Sequence, residues 1–228
     1  MPPYGNKFTG TVAYLGGIPA LLEEFCWSWS QMVQYNTEYL LQPGELVYYN
    51  RARSSFHSFA RNTLVKQMYG DWIIMLDGDI AFEPDLAVRL LYQANLYNLD
   101  VLTGWYSFKA PPYSPVLYIF DGKLFQPIGD YDSGVSIIEI GGAGAGCLFI
   151  RKTVFDKIEK ELKEEPFSIH PPYSEDLSFF YRIHKLGIRA YCDTRIHVRH
   201  LLVHGVEEGE YQKEELTFGK RQEVLGYK

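Results

Sequence analysis

Residues 71–79 read DWIIMLDGD: five apolar residues in a row, Trp72 through Leu76, closed by Asp77-Gly78-Asp79. A short, continuous apolar run ending on a turn signal predicts a buried strand. The periodicity alternates on either side of it. Residues 56–69 predict a helix with Gly70 as its C′ residue. Pro84 falls in the first turn of another helix, which faces inward through Leu86, Leu90 and Leu91, and residues 101–103 begin a further strand. Upstream, residues 9–15 predict a strand that ends in Gly16-Gly17-Ile18-Pro19. Leu21, Leu22, Phe25, Trp29, Met32 and Val33 share one helical face, and residues 45–49 form a strand after Pro43-Gly44. Strand and helix thus alternate through residue 105. This implies an α/β domain whose mostly parallel sheet is covered by helices on both faces. Ligands of such sheets bind beyond the carboxyl ends of the strands, and the DGD lies at one of them.

The second half is less regular. Residues 106–140 read as loops and short strands. The run Gly141-Gly142-Ala143-Gly144-Ala145-Gly146 leads into a strand at 147–150. Thr153 is placed to cap a helix carrying Val154, Phe155, Ile158 and Leu162. Ser174-Glu175-Asp176 opens a helix with Leu177, Phe180, Tyr181 and His184 on one side, ended by Gly187. Strands follow at 188–192 and 196–201. No linker divides the chain, so residues 1–205 read as one domain and 206–228 as a tail.

Composition excludes several classes. The chain has 228 residues, a formal charge of −6 and 46% apolar residues. That is ordinary for a globular protein, and it argues against a surface that grips nucleic acid throughout. The acidity is concentrated in residues 71–150, which carry −7. Cys26, Cys147 and Cys192 form no CxxC and no framework, which suits a reducing cytosol. No stretch approaches the roughly 20 apolar residues of a membrane span, and the N-terminus does not read as a signal peptide.

Four constellations are candidates for chemistry. Asp77 and Asp79 flank a glycine at a strand end; two carboxylates so placed suit Mg²⁺ or Mn²⁺. A solvated Asp-Gly turn is the plainer alternative, and the strand-then-helix setting weighs against it. His200, with His197 and His204 nearby, can add an imidazole to such a site, although packed or surface histidines are common. Glu175 and Asp176 sit at a helix start, where the dipole favours acids, and one of them can serve as a general base. The glycine run matches no Walker loop, so close approach to a ligand and a flexible turn are the two readings. Arg61, Asn62 and Lys109 are polar positions that either meet phosphate or are simply solvated. The strip of Arg182, Lys185, Arg189, Arg195 and Arg199 is read first as a solvated face, and second as a contact for an anionic acceptor.

In order, the motifs DWIIMLDGDIAFEPD, VLTGWYSFKAPPYSP, GGAGAGCLFI and YSEDLSFFYRIHKLGIRAYCDTRIHVRHL resemble nucleotide-sugar glycosyltransferases of the GT-A fold. They are similar to family 2 and to its compact phage and bacterial forms. The resemblance implies a Rossmann-like, mixed, mostly parallel sheet. Residues 9–105 would be the nucleotide-binding half and 106–205 the acceptor and catalytic half. It makes Asp77 and Asp79 the DxD, with His200 (or His197) as a further ligand to Mn²⁺ or Mg²⁺. Asp176 becomes the base of an inverting transfer, and Glu175 a residue that holds the acceptor. Gly17, Ile18, Pro19, Arg61, Asn62, Asp77, Gly78 and Lys109 would approach the nucleotide-sugar, a UDP-sugar first of all. Gly144 would wall the donor sugar. Trp105, Tyr106 and Tyr113 are aromatic candidates for sugar faces. The implied acceptor is a glycan or a modified nucleic-acid base. No QxxRW motif follows Asp176, which weighs against processive polymer synthesis. Two alternatives stand beside this reading: a nucleotidyltransferase acting on a sugar phosphate, and a carbohydrate-binding domain that does no chemistry.

Overall fold

A computed structural model describes residues 7–16, 22–40, 45–129 and 137–202. The elements begin with strand β1 (Lys7–Leu15), helix α1 (Glu23–Tyr39), β2 (Glu45–Ala52), α2 (His57–Lys66) and β3 (Trp72–Asp77). A short β4 (Ile80–Ala81), α3 (Leu86–Leu96), β5 (Val101–Trp105), β6 (Leu117–Phe120) and β7 (Phe125–Pro127) follow. The chain continues through β8 (Ile137–Ile140), β9 (Gly142–Ala143), β10 (Cys147–Arg151), α4 (Lys152–Leu162) and α5 (Glu175–Lys185). It ends in β11 (Ala190–His197) and β12 (Arg199–His200).

Seven strands form the main sheet in the order β2-β1-β3-β10-β5-β11-β8. Five of them run one way, while β10 and β8 are antiparallel to their neighbours. Strand β3 is buried on both faces, as a continuous apolar run requires. Ile73 and Met75 pack with Leu64 of α2, Ile158 of α4 and Phe180 of α5. Trp72, Ile74 and Leu76 pack on the opposite side with Met32 of α1 and Leu90 of α3. Asp77 continues the first of these alternations, so it emerges toward α2 and α5.

Two small sheets complete the molecule. The pair β4–β12 is antiparallel, with His200 opposite Ile80. The three strands β7-β6-β9 cover the outer side of α5, where Phe120 and Phe125 meet His184. No helix among the described residues is long and apolar enough to cross a membrane.

Several local expectations are corrected. Helix α2 stops at Lys66, before Tyr69, because the 67–71 segment is tied to neighbouring strands. Gln67 accepts from Asn50, Tyr69 exchanges hydrogen bonds with the Thr11 hydroxyl, and Asp71 N–H donates to the Thr9 carbonyl. Gly70 has φ +80° and is not the helix's C′ residue. A Cβ there would lie 2.3 Å from the Thr9 carbonyl carbon, so only glycine fits beside β1. Arg151, not Thr153, is the residue that precedes α4. The core face of α5 is Phe179, Phe180 and Ile183, whereas Leu177, Tyr181 and His184 are half-buried. In place of strands at 188–192 and 196–201 there is one long strand, Ala190–His197, and a short one, Arg199–His200.

Candidate active site

The DGD turn is fixed by backbone before any side chain acts. Asp77 N–H donates to the Gly146 carbonyl (3.0 Å), Gly78 N–H to the Leu15 carbonyl (3.0 Å), and Leu201 N–H to the Asp79 carbonyl (2.7 Å). The last bond and the β4–β12 ribbon bring a residue 121 positions away in sequence, His200, beside Asp79.

Asp79 forms one pole of the site. Its Oδ2 lies 2.6 Å from Lys109 Nζ and 3.6 Å from His200 Nε2. His200 Nδ1 is 2.9 Å from the Ser107 carbonyl, to which it donates; that bond fixes the ring and leaves Nε2 as the nitrogen that faces Asp79. The ring also meets Tyr106 edge-on, with centroids 5.1 Å apart. Burial alone would raise the Asp79 carboxyl, but His200 and Lys109 outweigh it and hold the group at about 2. Among the described residues no three His, Cys, Asp or Glu side chains form a ready metal-ligand set. Asp79 and His200 nevertheless offer the oxygen and imidazole donors that Mn²⁺ or Mg²⁺ accepts, so the pair fits such an ion. His197 lies elsewhere, against the Trp105 ring at 4.3 Å.

Arg61 forms the other pole. It is 2% exposed, and its guanidinium reaches three segments of the chain. Nη2 donates to Asp77 Oδ1 (3.0 Å) and Nη1 to the Ala145 carbonyl (3.0 Å), while Nε lies 3.5 Å from Glu175 Oε1 without hydrogen-bond geometry. His57, one turn earlier on α2, places Nδ1 3.6 Å from the same Glu175 oxygen. The Glu175 carboxylate raises the His57 pKa. Burial would raise Glu175 itself, yet His57 and Arg61 bring it down to about 2.

Asp176 responds in the opposite direction. Burial raises its carboxyl, and the adjacent Glu175 charge adds to the rise. The Ser174 hydroxyl and the Leu177 N–H (2.8 Å) both donate to its Oδ1, and neither binds Oδ2. The two neighbouring carboxyls are thus shifted in opposite directions. Glu175, expected to hold an acceptor, is an ionised partner for Arg61 and His57. Asp176 instead has its carboxyl raised, chiefly by burial.

The glycine run serves the protein's own packing. A Cβ on Gly144 would lie 2.1 Å from Tyr106 Oη, and one on Gly146 2.9 Å from Asp77 Oδ2. Tyr106 is 6% exposed, too buried to face a sugar, and its hydroxyl accepts from Gly146 N–H at 3.1 Å. Trp105 is half-buried and donates to the Thr194 carbonyl (3.0 Å), while Tyr113 is exposed. Asn62 does not accompany Arg61. About 100° further round the helix, it accepts from Phe167 N–H (2.9 Å) and donates to Glu165 (3.2 Å). Gly17, Ile18, Pro19, His204 and the 206–228 tail lie outside the described residues.

The basic strip is largely paired. Arg182 is buried against Glu164 and the carbonyls of Pro166, Ser168 and Ser178, and Arg195 grips the buried Asp193. Arg189 faces Glu139 (3.5 Å) and Arg199 faces Glu24 (3.8 Å).

Sequence reasoning missed His57, although its signal was available. His57 and Arg61 are four apart, so they share a face of α2.

The family model "Glycosyl transferase family 2" matches residues 30–158, more than half of the chain. The chain belongs to glycosyl transferase family 2. The matched range contains Arg61, the DGD, Lys109 and Gly144 and ends before Glu175, Asp176 and His200. Among solved structures, the family 2 chain is similar to the crystal structure of A197 from STIV. The TM-score is 0.54 with 16% identity over 86% of each chain, a likeness of fold alone. No curated protein matches the chain.

The opposed shifts give a pH prediction. Asp79 and Glu175 fall from ordinary values of 3.8 and 4.5 to about 2. Their contribution to stability is full above the unfolded values and is lost as pH falls toward 2. Asp176, being raised, opposes this by losing stability as pH climbs above 3.8. The urea midpoint is expected to drop between pH 5 and pH 2, and Glu175→Gln to flatten that slope. A Glu175→Gln slope equal to that of the unaltered protein would contradict the assignment.

Proposed function

We propose that the chain transfers a sugar from a nucleoside-diphosphate sugar to an acceptor hydroxyl, with inversion at the anomeric carbon. One observation carries this reading: the buried Arg61 joins Asp77 of the DGD turn to Glu175, the neighbour of Asp176. Donor-side and acceptor-side acids are thereby held at one end of the sheet, the end where open α/β sheets bind ligands.

In this reading the donor diphosphate lies at the Asp79 pole. Asp79 and His200 would hold a divalent ion, which when bound supplies positive charge opposite the leaving diphosphate. Asp176 Oδ2 accepts the proton of the acceptor hydroxyl as that oxygen bonds to the anomeric carbon. The bond from that carbon to the diphosphate oxygen breaks, and its electron pair leaves with the nucleoside diphosphate. Arg61 holds Asp77 and Glu175 in place, helps keep Glu175 ionised, and touches no reacting atom.

A release screen tests the reading. UDP-, GDP- and dTDP-sugars are incubated with the protein and Mn²⁺ or Mg²⁺, and nucleoside diphosphate is measured. Metal-dependent release is expected, with UDP-sugars first. Pyrophosphate released from a nucleoside triphosphate and a sugar phosphate would assign nucleotidyl transfer instead. Donor binding without any release would remove the catalytic reading.

A further inference from the structure

Lys109 engages the carboxylate oxygen of Asp79 that a metal ion would need. Its ammonium lies 2.6 Å from Asp79 Oδ2, the same oxygen that His200 Nε2 faces at 3.6 Å. An ammonium and a divalent cation held by one carboxylate oxygen repel each other, so the two cannot share it at bonding distance.

The element that carries Lys109 also prepares the site. Residues 107–115 form a narrow hairpin, closed by the Ser107–Pro115 bridge and by the bond from Phe108 N–H to the Ser114 carbonyl (2.9 Å). Ser107 supplies the carbonyl that orients His200, and Lys109 follows two residues later. One hairpin therefore aims an imidazole at Asp79 and delivers a cation to it. The Lys109 side chain is 41% exposed and sits on a flexible four-carbon stem, so its ammonium can leave without disturbing the hairpin.

We propose that Lys109 is a displaceable internal cation. It neutralises Asp79 while no metal is bound, and a divalent ion that takes Asp79 and His200 expels its ammonium. This rests on the reading of Asp79 and His200 as metal ligands. Its consequence is a threshold: the metal must compete with a tethered charge of the same sign, so the site fills only at higher ion concentrations than the acids alone would require.

The test is Mn²⁺ binding to the full chain by calorimetry, without nucleotide. The partly exposed ion pair is a modest competitor, so Lys109→Met is expected to tighten Mn²⁺ binding by about two- to five-fold. Lys109→Arg keeps the charge and is expected to bind like the unaltered protein. Saturating Mg²⁺ should also speed reductive methylation of Lys109, read by mass spectrometry, because the ammonium is released. Equal or weaker Mn²⁺ binding by Lys109→Met, with binding abolished in Asp79→Asn, would overturn the displacement and leave the metal site standing. Absence of Mn²⁺ binding in both the unaltered protein and Lys109→Met would overturn the metal site and the displacement together.

Discussion

Replacing Arg61 by Met is expected to lower the stability of the protein by about 3–5 kcal/mol, the usual cost of removing one partner from a buried ion pair. The side chain is buried, and it is shared by Asp77, the Ala145 carbonyl and Glu175. Methionine fills a similar volume, so the loss isolates charge and hydrogen bonding from packing. Two carboxylates would be left without their buried counter-charge, and one buried carbonyl without its donor. The effect is expected near the lower end of the range, since Asp77 retains some access to water. In a chain of this size each kcal/mol shifts the melting temperature by roughly 2–4 °C, which puts the expected fall at about 6–20 °C. Urea unfolding gives the free energy directly. Arg61→Lys should lie between the two, because an ammonium restores one charge but not the three-way fork. Adding Glu175→Gln to Arg61→Met should recover part of the loss by removing one orphaned charge. A loss below about 1 kcal/mol for Arg61→Met would show that the fork is not a buried link, since that is the scale of an exposed pair.

The same link explains which features were legible in the sequence. The strand before the DGD declared itself because both its faces are covered, which demands unbroken apolar residues. The mixed character of the sheet was not written locally. Strand β10 enters between β3 and β5 running the other way, and its Leu148-Phe149-Ile150 run looks the same in either direction. The buried side of α5 was misread for a related reason. Periodicity located an apolar face but could not foresee the small sheet β7-β6-β9, which covers Tyr181 and His184 from outside and leaves Phe179 and Ile183 to the main core. Arg182 counted as a surface charge in the composition, yet Glu164 and three carbonyls hold it inside. The DGD and the acidic pair were recognisable as motifs. Their connection through Arg61 was not, because it depends on three segments meeting in space.

Asp176→Asn is expected to reduce transfer by roughly 10²–10⁴-fold, the contribution of a well-placed general base. The amide has the shape of the carboxyl and can still accept from Ser174 and Leu177 through its oxygen, so the fold should be kept. It cannot take a proton from an acceptor hydroxyl. In barrier terms the expected loss is about 3–5 kcal/mol. Donor affinity should change little, because the proposed function puts the diphosphate at Asp79 and His200, not at Asp176. The pH profile separates a base from a merely structural acid. A base works when ionised, so kcat/KM of the unaltered protein should rise with pH through the Asp176 pKa, which burial places above the ordinary 3.8. That limb should vanish in Asp176→Asn. Glu175→Gln is the informative contrast. Its carboxyl is already held at about 2 by His57 and Arg61, so it contributes no limb in that range, and its loss should act through stability and the placement of Arg61. If Asp176→Asn kept more than about a tenth of the activity, or kept the rising limb, the proton would have to be taken by another group, since either result falls below the range for a general base.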